Sequence, residues 1–343
     1  MNRILLAALA LLILPVAAAC GSGGDDENGT PPQQQATSAA SPSPASQPAQ
    51  PTATPVVASF PVTVELEGRK VTIAQRPQRI VALSNDVADI AIRLAGPERV
   101  AAAPESNANA SLAAGADAAG RVATKLPPGT KPEPESIVAL RPDLVLISAR
   151  HGGEQDAAKQ LEQLQIPLLV FAHWGTPEEI AENVRAIGKA VGEPQRAEAL
   201  IAEMMQSVDR VQKAVKNAPT KPRVLALSDQ ANRPFIVGKS GGGITPTLVS
   251  LAGGEVLSET GGPAQAESVA ALNPDVILIV DVWGKGLTNY RALLDSPGVR
   301  ELPAVRDNRI IVLPAWQIFL PTDRVGAGVE SLARALHPGA LPQ

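Results

Sequence analysis

"ESIVALRPDLVLI", residues 135–147, returns almost unchanged as "ESVAALNPDVILI" at residues 267–279. Eight of the thirteen positions are identical, and the others exchange like for like except Arg141 against Asn273. Each copy opens as a short helical stretch, Glu135 to Leu140 and Glu267 to Leu272. Proline then ends the helix, because the residue before it disfavours helical angles. The apolar runs that follow, Leu144 to Ser148 and Val276 to Val280, do not alternate. Such a strand is expected to be buried on both faces, as in a parallel sheet.

A second echo supports the duplication. "RIVALSND" at residues 79–86 is matched by "RVLALSDQ" at residues 223–230, and each reads as the strand that opens a unit. Both pairs of phrases come in the same order. The expected fold is therefore α/β: two Rossmann-like lobes with mostly parallel sheets, joined by a single long helix. "IPLLVFA" (166–172) and "RIIVLPA" (309–315) supply further strands. Thr176-Pro177-Glu178-Glu179 is a capping box with proline at the first helical position, and Ile180, Val184, Ile187 and Val191 mark one face of the helix it starts. Ala197, Leu200, Ile201, Met204, Val208, Val211 and Val215 recur at helical spacing between the halves. The expected boundaries are an N-terminal lobe over 58–192, a linking helix over 193–218 and a C-terminal lobe over 219–343.

The first nineteen residues do not belong to that body. Asn2 and Arg3 precede a short apolar run, Ile4 to Leu14, and Ala17-Ala18-Ala19 leads into Cys20, the only cysteine. This is a charged start, an apolar core and a small-residue cleavage site, too short to span a bilayer stably. It resembles a bacterial lipoprotein signal (1–19), with Ala17 where leucine is more usual, and the resemblance implies lipidation at Cys20. Residues 20–57 are poor in large apolar side chains and are expected to form a disordered tether. No second cysteine remains for a disulfide or a thiolate metal site. The formal net charge is −4 with no basic run, so nucleic-acid binding has no support. A monomer is expected, held to the membrane by the lipid alone.

Together, the signal, the tether, the paired phrases and the long helix resemble a substrate-binding lipoprotein of an ABC importer, of the class that carries ferric siderophores, haem and corrinoids. "PESIVALRPDLVLIS", "TPEEIAENVRAIGKAVG", "AESVAALNPDVILIV" and "LPAVRDNRIIVLP", in that order, carry the likeness across nearly all of the body. The resemblance implies a ligand cleft between the lobes and no catalysis. It places the protein outside the cytoplasm, anchored to the cell membrane and serving a permease dimer. It also implies that Glu135 and Glu267 dock on that permease, one from each lobe. A first-turn glutamate is favoured by the helix dipole in any helix, which is the plainer reading of both.

Candidate cleft residues follow from strand ends, where open α/β sheets bind ligands. Aromatic residues make up only 2 % of the chain, so their positions carry weight. Trp174, Trp283 and Trp316 each follow a predicted strand and offer flat apolar plates to a bulky cargo. Each is equally able to cover a sheet end. His151 and His173 also follow strands, whereas His337 reads as structural. Asn85 and Asp86 sit where a helix begins and are as readily caps as contacts. Phe235 and Lys239 lie in "PFIVGKSGGG". Its "GKS" lacks the leading glycine of a phosphate loop, so nucleotide binding is rejected. The glycines there serve a tight turn or a close backbone approach to ligand. Three scattered histidines form no metal-ligand spacing, and no resident metal or cofactor is expected. Arg150, Arg233 and Arg324 suit an anionic chelate, but nothing in the sequence brings them together. The resemblance implies a cargo order of ferric siderophore, then corrinoid, then haem. Tyr290, the only tyrosine, falls in a predicted helix, so haem would need His151 or His173. A membrane-anchored enzyme and a ligand-sensing module are the alternatives from other classes. No G-x-S-x-G or H-E-x-x-H pattern supports the enzyme.

Overall fold

The two strands of the repeated phrase occupy the same place in two separate five-strand orders. The computed structural model describes residues 59–341, apart from 128–132, 151 and 231. The signal, Cys20 and the tether lie outside the described residues.

A hairpin of β1 (Val62–Leu66) and β2 (Arg69–Ile73) precedes the first lobe. It turns on Glu67 and Gly68, both at positive φ, as a twisted two-residue hairpin turn requires. The first sheet runs β5-β4-β3-β6-β7, all parallel: β3 (Ile80–Ala82), β4 (Val100–Pro104), β5 (Thr124–Leu126), β6 (Leu144–Ser148) and β7 (Leu168–Phe171). Its helices are α1 (Asn85–Ala95), α2 (Ala116–Gly120), α3 (Pro134–Ala139), α4 (Gly152–Leu161) and α5 (Pro177–Val191). The Thr176 capping box forms, with the Thr176 hydroxyl accepting from the Glu179 amide and Glu179 accepting from the Thr176 amide.

The second sheet runs β11-β9-β8-β12-β13, with β10 beside β8. Its strands are β8 (Arg223–Gln230), β9 (Arg233–Ile236), β10 (Glu255–Val256), β11 (Gly262–Pro263), β12 (Val276–Asp281) and β13 (Ile310–Pro314). Here β9 and β11 are antiparallel to their neighbours. The cause is local: only residues 231 and 232 separate β8 from β9, enough for a hairpin but not a crossover. The helices are α7 (Thr245–Leu251), α8 (Ala266–Leu272), α9 (Arg291–Leu294), α10 (Pro303–Arg306), α11 (Ala315–Ile318) and α12 (Val325–Leu336).

The single long helix between the sheets is α6 (Pro194–Val215), 22 residues and so roughly 33 Å long. It buries Ala197, Leu200, Ile201, Met204, Ser207, Val208 and Val211, packing on α5 of one lobe and α12 of the other. The contact with α12 is close. A Cβ on Gly326 would lie 2.9 Å from the Met204 Cα, so only glycine fits there. None of the described helices is long and apolar enough to cross a membrane.

Most of the repeated phrase is an interlock between helix and strand. Asp143 accepts from the amides of Gln78 and Arg79 at 2.7 and 2.9 Å, and Asp275 accepts from the Arg223 amide at 2.8 Å. In return, the Arg79 guanidinium donates to the carbonyls of Leu140 and Arg141, and Arg223 donates to those of Leu272 and Asn273. The strand of one phrase thus closes the helix end of the other, in both lobes. The non-conservative position is the left-handed residue before proline, with φ 49° at Arg141 and 42° at Asn273. Asparagine adopts that conformation at less cost than arginine. Arg141→Asn is therefore expected to raise stability by about 0.5–1 kcal/mol, read as a higher urea midpoint at unchanged m-value.

Candidate functional site

The loops beyond the carboxyl ends of the two sheets meet along a seam. Asn109 of the first lobe donates to the Val282 carbonyl at 2.9 Å, and the Trp316 amide donates to the Ser111 carbonyl at 3.2 Å. Gly284 closes on the same segment, where a Cβ would lie 3.0 Å from Ser111 Oγ. Residues 109–111 therefore lie against both Trp-bearing loops of the second lobe. Elsewhere on the seam, Thr247 donates to the Gly175 carbonyl at 2.7 Å. Nothing in "NANASLAAG" signals this docking, because its small residues act through backbone shape.

Arg150 is one of the charges that the first lobe brings to this seam. It follows β6, and its side chain is 24 % exposed. Its Nη1 lies 3.9 Å from where a Cβ on Gly243 of the other lobe would stand. The guanidinium is held from behind by Asp86, which is fully buried. Asp86 Oδ2 lies 3.0 Å from Arg150 Nη2, close enough for an ion pair, though off the direction of a hydrogen bond. Asp86 Oδ1 accepts from Ser148 Oγ at 2.6 Å and from the Val87 amide at 2.8 Å. Arg150 Nε is buried without a partner. The Asp86 charge holds the arginine from one side, and Asp86 is itself fixed by its hydrogen bonds to Ser148 and Val87.

The candidate contacts divide on this frame. Asp86 has no surface to offer a cargo and meets the seam only through Arg150. Asn85 is half-buried and accepts from Ser106 Oγ at 2.7 Å, which ties the β3 and β4 loops together. Trp174 is 3 % exposed and packs on Phe171, with ring centroids 5.8 Å apart, so it seals the sheet end rather than facing solvent. Trp283 is 49 % exposed and Trp316 half-buried, both at the seam. Phe235 is half-buried in β9, and Lys239 pairs with exposed Glu259. His173 is exposed, and His151 lies outside the described residues. His337 is buried at the far side, 3.3 Å from the Gly253 carbonyl.

The other arginines stay apart. Arg233 is exposed on the β8–β9 hairpin, and Arg324 is packed between the lobes beside Asp89 and Asp323. Tyr290 is buried in the second lobe, in a short 3₁₀ turn rather than an α-helix. Burial, then Asp229 and Asp281, holds its phenol above the ordinary value, so it stays protonated. The glycine run folds on itself: a Cβ on Gly238 would meet the Thr260 carbonyl carbon at 2.3 Å, and one on Gly242 the Gly238 oxygen at 2.1 Å. A tight turn therefore accounts for Gly238 and Gly242. Two open grooves, of about 580 Å³ between α6 and α7 and about 450 Å³ between β1 and α5, touch none of Arg150, Trp283 and Trp316.

Glu135 and Glu267 stand second in α3 and α8, and both are exposed. Neither makes a hydrogen bond or ion pair among the described residues. Val138, one turn on from Glu135 and on the same helix face, is 46 % exposed. In a phrase whose aspartates lock strand to helix, the glutamates hold nothing among the described residues.

Two like lobes, a single rigid connector and a seam lined by loops from both sheets define a two-lobed ligand-binding protein. The chain belongs to the periplasmic binding protein family, whose model matches residues 80–316, and which works outside the cytoplasm as the substrate-binding part of ABC importers. It is 25 % identical over 300 residues to the ferric-anguibactin-binding protein FatB of Vibrio anguillarum, spanning 80 % of this chain and 84 % of that one. Among solved structures, the periplasmic heme-binding protein RhuT from Roseiflexus sp. RS-1, in apo form, superposes with TM-score 0.64 at 23 % identity, covering 77 % of this chain and 99 % of RhuT. The ABC-type Fe3+-hydroxamate transport system protein from Saccharomonospora viridis superposes with TM-score 0.63 at 24 % identity, covering 81 % of this chain and 99 % of that one. These likenesses to solved structures establish the fold.

Proposed function

We propose that this protein is a lipid-anchored binding protein that captures a ferric siderophore between its lobes and hands it to an ABC permease dimer, without catalysing a reaction. The observation that carries the reading is the pairing of one exposed glutamate on each lobe, unpartnered among the described residues, with a guanidinium set at the seam between them. A permease of two like subunits offers two equivalent surfaces, and two like lobes offer one carboxylate to each. Arg150 suits an anionic oxygen donor set, and the exposed face of Trp283 suits a flat, partly apolar ligand. The likeness to a ferric-anguibactin-binding protein supports an iron chelate over a corrinoid or haem. Cys20 carries the lipid, and residues 20–57 give the body its reach from the membrane.

Thermal unfolding against a panel tests the cargo. The panel holds catecholate, hydroxamate and citrate iron chelates, cobalamin, cobinamide and haem. A ligand binding only the folded state at a hundred times its Kd adds about 2.7 kcal/mol, an easily read rise in midpoint. An iron chelate is expected to give it. A rise with cobalamin or haem alone would replace the siderophore assignment, and turnover of any panel member would replace the binding role.

A further inference from the structure

Four ionisable side chains are packed where the lobes meet beside the linking helix, with Asp89 one turn of α1 on from the Asp86 that faces Arg150. Asp89 and Arg93 stand one turn apart on α1 of the first lobe. Asp323 and Arg324 come from the turn before α12 of the second. Arg93 pairs with Asp323 across the seam, and its other nitrogen lies 3.8 Å from Glu203 of α6. Asp323 and Arg93 are only 3 % and 19 % exposed in their side chains, whereas Glu203 is 73 % exposed and belongs to the rim. Asp89 is 6 % exposed and accepts from the backbone amide of Gly115. Asp323 Oδ1 and Arg324 Nε are buried without hydrogen-bond partners. Two acids and two guanidiniums balance formally, but the hydrogen bonding is incomplete. Buried charges held this way are costly, and they respond to any change in protonation.

We propose that this cluster is a proton-binding site that couples pH to the orientation of the lobes, tightening the seam as Asp89 takes up a proton. The turn carrying Asp323 and Arg324 is fixed to α6, because α12 packs on Met204 through Gly326 with no room for a side chain. Asp89 is fixed to the first lobe through α1. A change at their contact therefore acts on the angle between the lobes rather than on either core.

The sign follows from the environment. Burial, then the Asp323 carboxylate, pushes Asp89 up from 3.8 to about 6, against the pull of Arg324, Arg93 and the Gly115 amide. Asp323 is also raised, first by burial, with Arg93 and Arg324 opposing. A group raised in the closed form binds its proton there more tightly than in an opened, hydrated form. The closed seam is thus favoured below about pH 6 and is progressively weakened as pH rises through that value. If opening restores Asp89 to its ordinary range, the open-to-closed ratio changes by up to about a hundredfold between acid and neutral conditions.

The test needs no cargo and stands independently of the cargo assignment. Spin labels are placed at Asp156→Cys and Lys239→Cys, exposed positions on opposite lobes, in the full chain carrying Cys20→Ser. Distance distributions are recorded at about pH 5 and about pH 7.5. A shorter, narrower distribution at the lower pH is expected, and Asp89→Asn should hold that distribution at both values. Asp323→Asn removes the repulsion on Asp89 and should move the midpoint toward acid; it also serves as the readout if Asp89→Asn fails to fold. Distributions that coincide at the two pH values, or a shift that persists unchanged in Asp89→Asn or Asp323→Asn, would overturn the proposal.

Discussion

Replacing both Glu135 and Glu267 by alanine is expected to abolish cargo uptake while leaving cargo affinity unchanged. Both side chains are exposed and hold nothing in place among the described residues, so stability should move by less than about 0.5 kcal/mol. Each single exposed ion pair contributes little affinity, about 0–1 kcal/mol. The pair acts on orientation and encounter rate, where two matched charges reject misaligned docking. Single variants should therefore retain partial uptake, and the double variant should lose tenfold or more. The comparison is uptake in cells bearing the permease against a binding titration on purified protein. Wild-type uptake by the double variant would remove the glutamates from the docking surface. Loss of affinity in the titration would place them at the cargo site instead.

Arg150→Ala is expected to produce the second large effect, on stability and recognition together. It leaves Asp86 buried with no opposite charge facing it. Breaking a buried pair costs about 3–5 kcal/mol, and the one-quarter exposure of Arg150 reduces this to about 2–3 kcal/mol. Urea unfolding reads that loss directly. Cargo affinity should fall at least tenfold if the guanidinium contacts an anionic group. The paired variant Asp86→Asn with Arg150→Gln separates the two roles: it removes the uncompensated charge and should recover most of the stability without recovering affinity. Full recovery of binding in that paired variant would show that Arg150 serves the fold alone.

Asp86 illustrates how far a sequence reading carries at such a site. Its position after the first strand makes it a candidate contact, but it is completely buried behind Arg150. Sequence places a residue at a strand end; it does not say which of two neighbouring positions turns inward. Trp174 is the same case, two strands over. It follows β7 as expected, then folds back on Phe171. Arg150 is legible as a charge near a strand end, but its distinction from Arg233 and Arg324 depends on the partners that surround each.

The duplicated architecture was readable from the chain alone because it rests on local, repeated chemistry. A non-alternating apolar strand, a proline after a short helix and an aspartate beside it have the same consequences wherever they occur, and here they occur twice. The long helix was readable for the same reason, since one apolar stripe at helical spacing buries against whatever flanks it. The reversal of β9 stands outside the repeated pattern and follows from the two-residue link after β8. What only the tertiary structure decided is the meeting of groups far apart in the chain: Arg150 with Gly243, Asn109 with Val282, and Arg93 with Asp323. Those contacts arise from how two finished lobes lie against one helix. Burial, which separates Trp174 from Trp283 and holds Asp89 above an ordinary carboxylate, exists only after that packing is complete.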